Sequence, residues 1–287
     1  MTTLSCIGAG RLGKTICRLL AGTVSIQQII NRSLASSQQA VDFIGSGLAA
    51  PVTDLQPANI WLIATPDSQI ETAYKQLQAS GVLDQGAIVF HCSGSIGAAL
   101  LNSNNSDIRV ASVHPIHSFA DPQKSLTHFP GCHCAIEGQS DAVEILQTLF
   151  ESIGALPFVI DSQHKALYHS ATVMACNYLV SLMHTSQRIL TAAGVDNHNG
   201  NPLESLVRQT LNNYLNTNAA SALTGPIARG DIKTVASHLN ALGQESDGDL
   251  WHQIYTALGK ATLPIASQQG QASISDLQQI EELLDKH

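Results

Sequence analysis

Three glycines near the start of the chain have the spacing of a dinucleotide-binding turn. Gly8, Gly10 and Gly13 come directly after a short apolar run and open a helical pattern. In such a turn the first glycine allows a tight bend, the second lets a pyrophosphate approach the backbone, and the third lets the helix pack on the sheet. We expect the N–H groups of Gly10, Arg11 and Leu12 to be free for an anion at the positive end of the helix dipole. The cofactor-binding residues predicted from this turn are Gly8, Gly10, Arg11, Leu12 and Gly13.

A second apolar run, 24–30, ends where a dinucleotide fold binds the adenosine ribose, about 20 residues after the glycines. The next residues are Asn31, Arg32 and Ser33, so the carboxylate typical of an NAD site is absent from these positions. The Arg32 guanidinium could pair with a 2′-phosphate, and Ser33 could donate its hydroxyl. These three residues therefore predict NADP as the cofactor. The alternative is that Arg32 is a solvated residue at the end of a strand.

Two loops carry candidate substrate-binding and catalytic residues. Ser93, Gly94 and Ser95 open a short helical pattern, so their N–H groups and hydroxyls could hold a substrate carboxylate or carbonyl. The alternative is that Ser95 only caps that helix. His114 ends a strand pattern, where Pro115 fixes the turn, and is a candidate proton donor. Its alternative role is that of a structural histidine in a turn.

A cluster of soft and borderline ligands invites a metal hypothesis. His128, Cys132, His133 and Cys134 lie close together in the sequence. Cys132 and Cys134 alternate along a strand pattern, however, and the spacing matches no established zinc pattern. We therefore predict no metal site.

Alternating strand and helix patterns position these residues up to about residue 161, after which only helical patterns follow. Strands separated by helices pair in parallel through right-handed crossovers. The pattern predicts an α/β fold, with a Rossmann-type doubly wound, mostly parallel sheet in residues 1–161 and an all-helical domain in residues 162–287. The strand patterns cover 4–7, 24–30, 59–64, 87–91, 109–113, 132–136 and 158–160. The helical patterns cover 14–21, 68–80, 95–101, 141–153, 163–193, 203–215, 231–242, 247–263 and 275–285.

Composition and charge exclude several classes of protein. Hydrophobic residues make up 44% of the 287 residues and charged residues 13%, which is typical of a folded chain of about two domains. The formal net charge of −8 argues against nonspecific nucleic-acid binding. No signal-peptide pattern opens the chain, the longest apolar stretch is too short for a membrane span, and the six scattered cysteines are typical of free thiols. We expect a cytoplasmic protein with a small-molecule substrate and no nucleic-acid or membrane partner.

Several motifs occur in an order that resembles a known family. They are Ala64-Thr65-Pro66-Asp67, His91-Cys92-Ser93-Gly94, Lys165-Ala166-Leu167-Tyr168-His169 and Thr224-Gly225-Pro226-Ile227-Ala228-Arg229-Gly230-Asp231. The chain resembles the provisionally assigned NADP oxidoreductases that join a Rossmann-like N-terminal domain to a helical C-terminal dimerisation domain of unknown function. This family is related to 6-phosphogluconate dehydrogenase, 3-hydroxyisobutyrate dehydrogenase, ketopantoate reductase and pyrroline-5-carboxylate reductase.

The resemblance has consequences for partners and for the nicotinamide end of the cofactor. It implies a homodimer formed through the helical domain. The helical pattern is apolar around most of its circumference between 171 and 183, which is consistent with a central helix or one shared with a second subunit. The resemblance also places Thr65 and Pro66 near the nicotinamide ribose. Asp67, on the other side of Pro66, lies in the same loop, and its alternative role is to cap the next helix.

The resemblance also suggests where to look for the catalytic acid. In the related hydroxyacid dehydrogenases a Lys supplies the acid, and an Asn one turn later orients the substrate. If Asn177 matches that Asn, the position of the Lys is occupied by Val173. His169 lies two helical turns before Asn177, on a similar face, and is our first candidate for the acid. The alternative is that His169 is a hydrogen-bonded structural histidine.

Arg229 is a further candidate for substrate binding. It could reach a substrate carboxylate across a subunit interface, or it could pair with Asp231, which we expect to cap the next helix.

These residues support three hypotheses about function. The first is an NADP(H)-dependent oxidoreductase that acts on a small carbonyl or imine compound in the cleft between the domains. The second is an NADP-binding regulatory or scaffold protein without catalysis, which the missing Lys motivates. The third is an imine reductase of the pyrroline-5-carboxylate type.

Overall fold

The computed structural model describes residues 1–101, 107–195 and 200–286 of the chain. It divides into two compact units, Met1–Tyr178 and Leu179–His287. The predicted domain boundary at 161/162 falls inside the first unit, and a functional division at that point stays a prediction.

One eight-stranded sheet forms the centre of the first unit. Its strands are β1 (Thr3–Ile7), β2 (Ser25–Ile30), β3 (Leu48–Ala50), β4 (Ile60–Ile63), β5 (Ile88–His91), β6 (Arg109–Pro115), β7 (His133–Gly138) and β8 (Leu156–Val159). They are arranged in the order β3-β2-β1-β4-β5-β6-β7-β8. Neighbouring strands run parallel except β6 and β7, which pair antiparallel. The predicted doubly wound, mostly parallel sheet is confirmed.

Helices cover both faces of this sheet, because its central strands are apolar on both sides. All four residues of β4 are buried, as expected for a parallel strand with a helical layer on each face. Leu62 belongs to one apolar cluster, while Trp61 and Ile63 belong to the other. The helices of the unit are α1 (Arg11–Leu20), α2 (Leu34–Ile44), α3 (Asp67–Ala79), α4 (Pro122–His128), α5 (Ser140–Glu151) and α6 (Lys165–Val173).

Three elements of the first unit were not predicted. β3 has only three residues, which is too short for a periodic pattern. α2 is rich in Ser and Gln, but it is stabilised by a reciprocal capping box between Ser33 and Ser36 and ends at Gly45 with φ +78°. α4 begins at Pro122 behind an Asp121 cap, a start signal that the apolar periodicity did not reveal.

All the regular secondary structure in the described residues of the second unit, 179–195 and 200–286, is helical. Its helices are α7 (Leu179–Ala192), α8 (Glu204–Asn216), α9 (Ala219–Ala222), α10 (Pro226–Arg229), α11 (Ile232–Gly243), α12 (Gly248–Gln269) and α13 (Ile274–Asp285). The short helices α9 and α10 were not predicted. Val235, Ala266, Ile280 and Leu284 form the buried centre of the unit. Among the described helices, none has the length and apolar composition needed to cross a membrane.

The long helix predicted over 163–193 is not uniform. Regular α-helix begins at Lys165, gives way to a π-helix at Met174–Tyr178 and resumes as α7. The two compact units divide directly after this π-helix. A wider helical turn at this point changes the angular spacing of every residue that follows it.

Candidate functional site

The glycine turn between β1 and α1 has the geometry that its spacing predicts. Gly8 has φ +91°, and a Cβ there would lie 2.6 Å from the backbone nitrogen of Thr65. A Cβ on Gly13 would lie 2.7 Å from the Gly8 carbonyl oxygen and 3.0 Å from Ala64 Cβ, so α1 packs closely on the turn and the end of β4. Gly10 faces open space, with no described atom within 4 Å of a Cβ placed there. A ligand can therefore approach the backbone at Gly10.

The prediction that Gly10 offers a free N–H group is wrong. This group donates to the Gly8 carbonyl at 2.8 Å, because the turn folds back on itself within two residues. The N–H groups of Arg11 and Leu12 have no acceptor among the described residues. The Arg11 side chain is exposed, and the first turn of α1 contains no acidic residue. The positive end of the helix dipole therefore begins at Arg11.

At the end of β2, the three predicted residues have different environments. Asn31 donates from its backbone N–H to Ser37 Oγ and from Nδ2 to the Ser36 carbonyl, both at 2.9 Å. The Ser33 hydroxyl accepts from the Ser36 N–H at 3.2 Å, which engages it in capping α2. Arg32 is exposed and makes no hydrogen bond or ion pair with another described residue. Of the three side chains, Arg32 is thus the one available to an incoming phosphate.

Thr65 and Pro66 follow β4 beside the glycine turn. Thr65 Oγ1 is buried and has no hydrogen-bond partner among the described residues, which is costly unless a ligand supplies one. The open space at Gly10 and this unsatisfied hydroxyl both fit a bound dinucleotide. We refer to the turn at 8–13, Arg32 and Thr65 as the glycine end.

The predicted alternatives for Asp67 and Ser95 as helix caps are wrong. Pro66 occupies the N-cap position of α3, and the Asp67 carboxylate instead accepts from Ser93 Oγ at 2.7 Å and from Ser95 Oγ at 3.3 Å. The cap after β5 is Ser93, whose buried Oγ accepts from the N–H groups of Ser95 at 3.3 Å and Ile96 at 3.0 Å. Only a 3₁₀ turn, Ala98–Leu101, forms where a helix over 95–101 was predicted.

Gly94 brings two histidines together. A Cβ at Gly94 would lie 2.2 Å from His169 Nδ1 and 2.8 Å from His114 Nε2. The two imidazole rings meet edge to face, with 5.3 Å between their centroids. His114 Nδ1 is also 2.7 Å from the Tyr168 hydroxyl. We refer to Gly94, His114, Tyr168 and His169 as the histidine cluster.

Burial determines the protonation of two members of the histidine cluster. Desolvation, reinforced by the positive charges of His169 and Lys165, lowers the pKa of His114 to about 4. Desolvation also raises the pKa of Tyr168 above its usual range. At neutral pH His114 is therefore uncharged and the Tyr168 phenol is protonated.

The hydrogen bonds around His169 indicate which of its nitrogens is available. The Thr172 hydroxyl donates to the His169 carbonyl at 2.8 Å, and its oxygen is 3.2 Å from His169 Nδ1. Since the single hydroxyl proton is used on the carbonyl, Nδ1 is the donor in the second contact. His169 Nε2 is thus the nitrogen that can exchange a proton.

Two polar residues of α6, Tyr168 in the cluster and Lys165 beside it, were given no role in the sequence analysis. Their only signals were the motif that contains both of them and the position of Tyr168 directly before His169. Lys165, 1% exposed, donates from Nζ to Glu137 Oε1 at 2.9 Å and to Ser112 Oγ. A Glu in the otherwise apolar pattern of β7 could have suggested a buried cationic partner.

Asn177 lies in the π-helix, and its residue is exposed. The expectation that it shares a face with His169 assumed a uniform α-helix between them. Because the π-helix begins at Met174, that spacing argument is wrong. A catalytic role for Asn177 stays a prediction.

Arg229 belongs to the second unit, at the end of α10. Its side chain is exposed and makes no close ion pair with another described residue. Its positive charge still contributes, after the hydrogen bonds from Thr234, to lowering the pKa of the Asp231 carboxyl, so the expected interaction with Asp231 is a longer-range electrostatic one. Asp231 caps α11 as expected, accepting from the Thr234 N–H at 3.1 Å and the Thr234 hydroxyl at 2.6 Å. Substrate binding by Arg229 stays a prediction.

All six cysteines are free thiols, as expected. Within the described ranges, no three His, Cys, Asp or Glu side chains form a group that could hold a metal ion.

Comparison with protein families agrees with this architecture. Residues 2–115 match the family described as a Rossmann-like domain, and residues 132–262 match the family described as a domain of unknown function, DUF2520. The resemblance inferred from the motifs is confirmed. No curated protein matches the chain.

Solved structures share the fold over nearly the whole chain. Protein TM1727 from Thermotoga maritima is 26% identical, with a TM-score of 0.72, over 93% of this chain and 99% of that one. A provisionally assigned NADP oxidoreductase, BF3122 from Bacteroides fragilis, is 18% identical, with a TM-score of 0.74, over 91% and 97%. A reductive aminase from Aspergillus terreus, in complex with NADPH and ethyl-5-oxohexanoate, is 14% identical, with a TM-score of 0.59, over 100% and 93%.

Proposed function

We propose that this chain, which combines a Rossmann-like domain with the domain of unknown function DUF2520, is an NADP(H)-dependent oxidoreductase. Its substrate in this proposal is a small carbonyl or imine compound, or the corresponding alcohol or amine. The observation that carries the proposal is the convergence of two imidazoles over Gly94 in a unit that also contains a dinucleotide-binding turn. Two structures of the same fold bear names that include NADP or NADPH, which supports the choice of cofactor.

The glycine end would hold the cofactor. The free N–H groups of Arg11 and Leu12 would bind the pyrophosphate, and Arg32 would pair with the 2′-phosphate. The Thr65 hydroxyl, which lacks a partner among the described residues, would gain one from the nicotinamide half of the molecule. When bound, the nicotinamide supplies or accepts the hydride.

The histidine cluster would handle the proton that accompanies the hydride. In the reductive direction, the imidazolium form of His169 donates its Nε2 proton to the oxygen or nitrogen of the substrate while the carbon gains the hydride, and the ring is left neutral with its proton on Nδ1. In our proposal Tyr168 donates its hydroxyl proton to His114 Nδ1, so that His114 Nε2 keeps its own proton. A neutral His114 then acts as a hydrogen-bond donor that orients the substrate.

Titration of the purified protein with NADPH and NADH, followed by nicotinamide fluorescence, tests the cofactor assignment. We expect tighter binding of NADPH, and a loss of about 10- to 100-fold in NADPH affinity in Arg32→Ala, because a charged hydrogen bond is removed. NADH affinity should not change in this variant. Lys75→Ala, which removes an exposed cation on α3, is the control. Tighter binding of NADH than NADPH to the wild-type protein would refute the assignment.

We also propose that the protein is a homodimer assembled through α7 and α8. Neither helix contains a buried residue, although Val180, Leu211, Tyr214 and Leu215 are large apolar side chains. Exposed large apolar side chains on helices without a buried face are typical of an interface between subunits. A second copy of the chain offers the same apolar surface and can cover it.

Light scattering after size-exclusion chromatography tests the dimer. The wild-type mass should be twice that of one chain, and Leu215→Glu should shift the protein toward the monomer, because a carboxylate would be buried without a partner. Leu48→Glu is the matched control, since Leu48, on β3 of the first unit, is exposed to a similar extent. A wild-type monomer at micromolar concentration would contradict the proposal.

A further inference from the structure

Lys165 begins α6 as a buried charge with a buried counter-charge. Its ammonium group donates to Glu137 Oε1 at 2.9 Å and to the hydroxyl of Ser112, a residue with no exposed surface. Glu137 is also buried, and Oε1 accepts a further bond from the Ala98 N–H at 2.8 Å. Each charge is thus removed from water and compensated by the other, and either one alone would be strongly unfavourable at this depth.

This ion pair fixes α6 on two neighbouring strands of the sheet. Ser112 lies on β6, two residues before His114, and is paired in register with Glu137 on β7. Tyr168 follows Lys165 by about one turn of the same helix. The position of the Lys165 ammonium group on the strands therefore determines where Tyr168 and His169 contact His114.

We propose that Lys165 is a positioning residue, whose ion pair with Glu137 holds α6 so that Tyr168 meets His114 and His169 closes over Gly94. The inference deepens the proposed function, because it concerns the same histidine cluster. It also assigns a role to a lysine that lies two turns before the position occupied by Val173. Lys165 acts through the helix and does not touch a substrate.

The charge of Lys165 adds to this geometric effect. Together with His169 it lowers the pKa of His114, whereas Asp67 acts in the opposite direction. It also lowers the pKa of His91, which burial alone already lowers. The titratable groups that face Lys165 are Glu137, Cys92, His91 and Asp67, and those that face His114 are His169, Tyr168, Lys165 and Asp67.

The test replaces both charges with neutral groups of similar shape, in the variant Lys165→Met/Glu137→Gln. Gln keeps an acceptor for the Ala98 N–H, so no buried charge is left unpaired. Nitrogen-15 and carbon-13 labelled histidine is observed by NMR from pH 8 to 3.5, with His114 assigned through the variant His114→Gln. In the wild-type protein we expect one fixed tautomer of His114 that stays neutral to pH 5. In the double variant we expect a mixture of tautomers and a titration midpoint raised by about half a pH unit or more.

A surface pair provides the control. Lys75→Met/Glu71→Gln removes the same two charges from an exposed pair on α3 and should leave His114 unchanged. Ser112→Ala is the milder variant for use if the double variant does not fold, and it should change the tautomer of His114 in the same direction but less. An unchanged tautomer and midpoint in a folded variant would overturn the inference.

This measurement needs neither cofactor nor substrate. A failure to bind NADPH would therefore refute the proposed function while leaving the result for Lys165 intact. Conversely, an unchanged His114 in a variant that binds NADPH normally would refute only the role of Lys165.

Discussion

At the glycine end the chain leaves space unfilled, whereas at Gly94 it fills the space with two imidazole rings. Gly10 has no described atom within 4 Å of a Cβ placed there, and Thr65 Oγ1 has no described partner. In the histidine cluster, by contrast, the absent side chain of Gly94 is the condition for the contact between His114 and His169. A glycine can thus leave room for a ligand, as at Gly10, or allow two side chains of the protein to approach each other, as at Gly94.

The variant His169→Ala is expected to give the largest difference between the two regions, because it should affect turnover and not cofactor binding. We expect turnover to fall by about 10²- to 10⁴-fold, because the proposed proton donor is lost, while NADPH affinity stays unchanged. Turnover is measured from NADPH absorbance with the best substrate from a panel of small carbonyl and imine compounds. His164→Ala is the control, since this exposed histidine contacts Asp161. Equal turnover in wild type and His169→Ala would remove His169 from the mechanism.

A smaller effect is expected from adding a methyl group to a glycine in each region. At the glycine end it should weaken cofactor binding, and in the histidine cluster it should lower stability. Gly10→Ala should weaken NADPH binding by about 10-fold and change stability by less than about 0.5 kcal/mol, because the methyl group meets only the ligand. Gly94→Ala should cost about 1–3 kcal/mol of stability through overpacking against the histidines, with NADPH affinity retained. Chemical denaturation and NADPH titration of both variants give the comparison. Similar changes in the two variants would show that the regions do not differ in this way.

The glycine end was largely predictable because its determinants are consecutive in sequence. The glycine spacing specifies backbone geometry, and the next apolar run leads directly to Arg32. The prediction failed at the Gly10 N–H, since spacing does not reveal a hydrogen bond that closes within the turn itself. It also did not show that Ser33 is occupied in capping α2.

The histidine cluster was only partly predictable because it is assembled from distant segments. His114, His169 and Gly94 were each identified as candidates, but nothing in their spacing indicates that they touch. Tyr168 and Lys165 were noted in a motif but given no role, for the same reason: their partners, His114 and Glu137, lie on strands of the sheet. Helical spacing was misleading at Asn177, because a π-helix cannot be recognised from residue periodicity.

The antiparallel pairing of β6 and β7 determines how the chain returns to the edge of the sheet at which β6 ends, beside His114. If β7 ran parallel to β6, it would end at the same edge as His114, and a loop would follow it there. Instead β7 and β8 run toward the opposite edge. The chain then returns as a helix, with Lys165 at the level of Ser112 and Tyr168 at the level of His114. Because β7 and β8 run in the reversed direction, a helix and not a loop places Tyr168 beside His114. A helix fixes the positions of its side chains more accurately than a loop does.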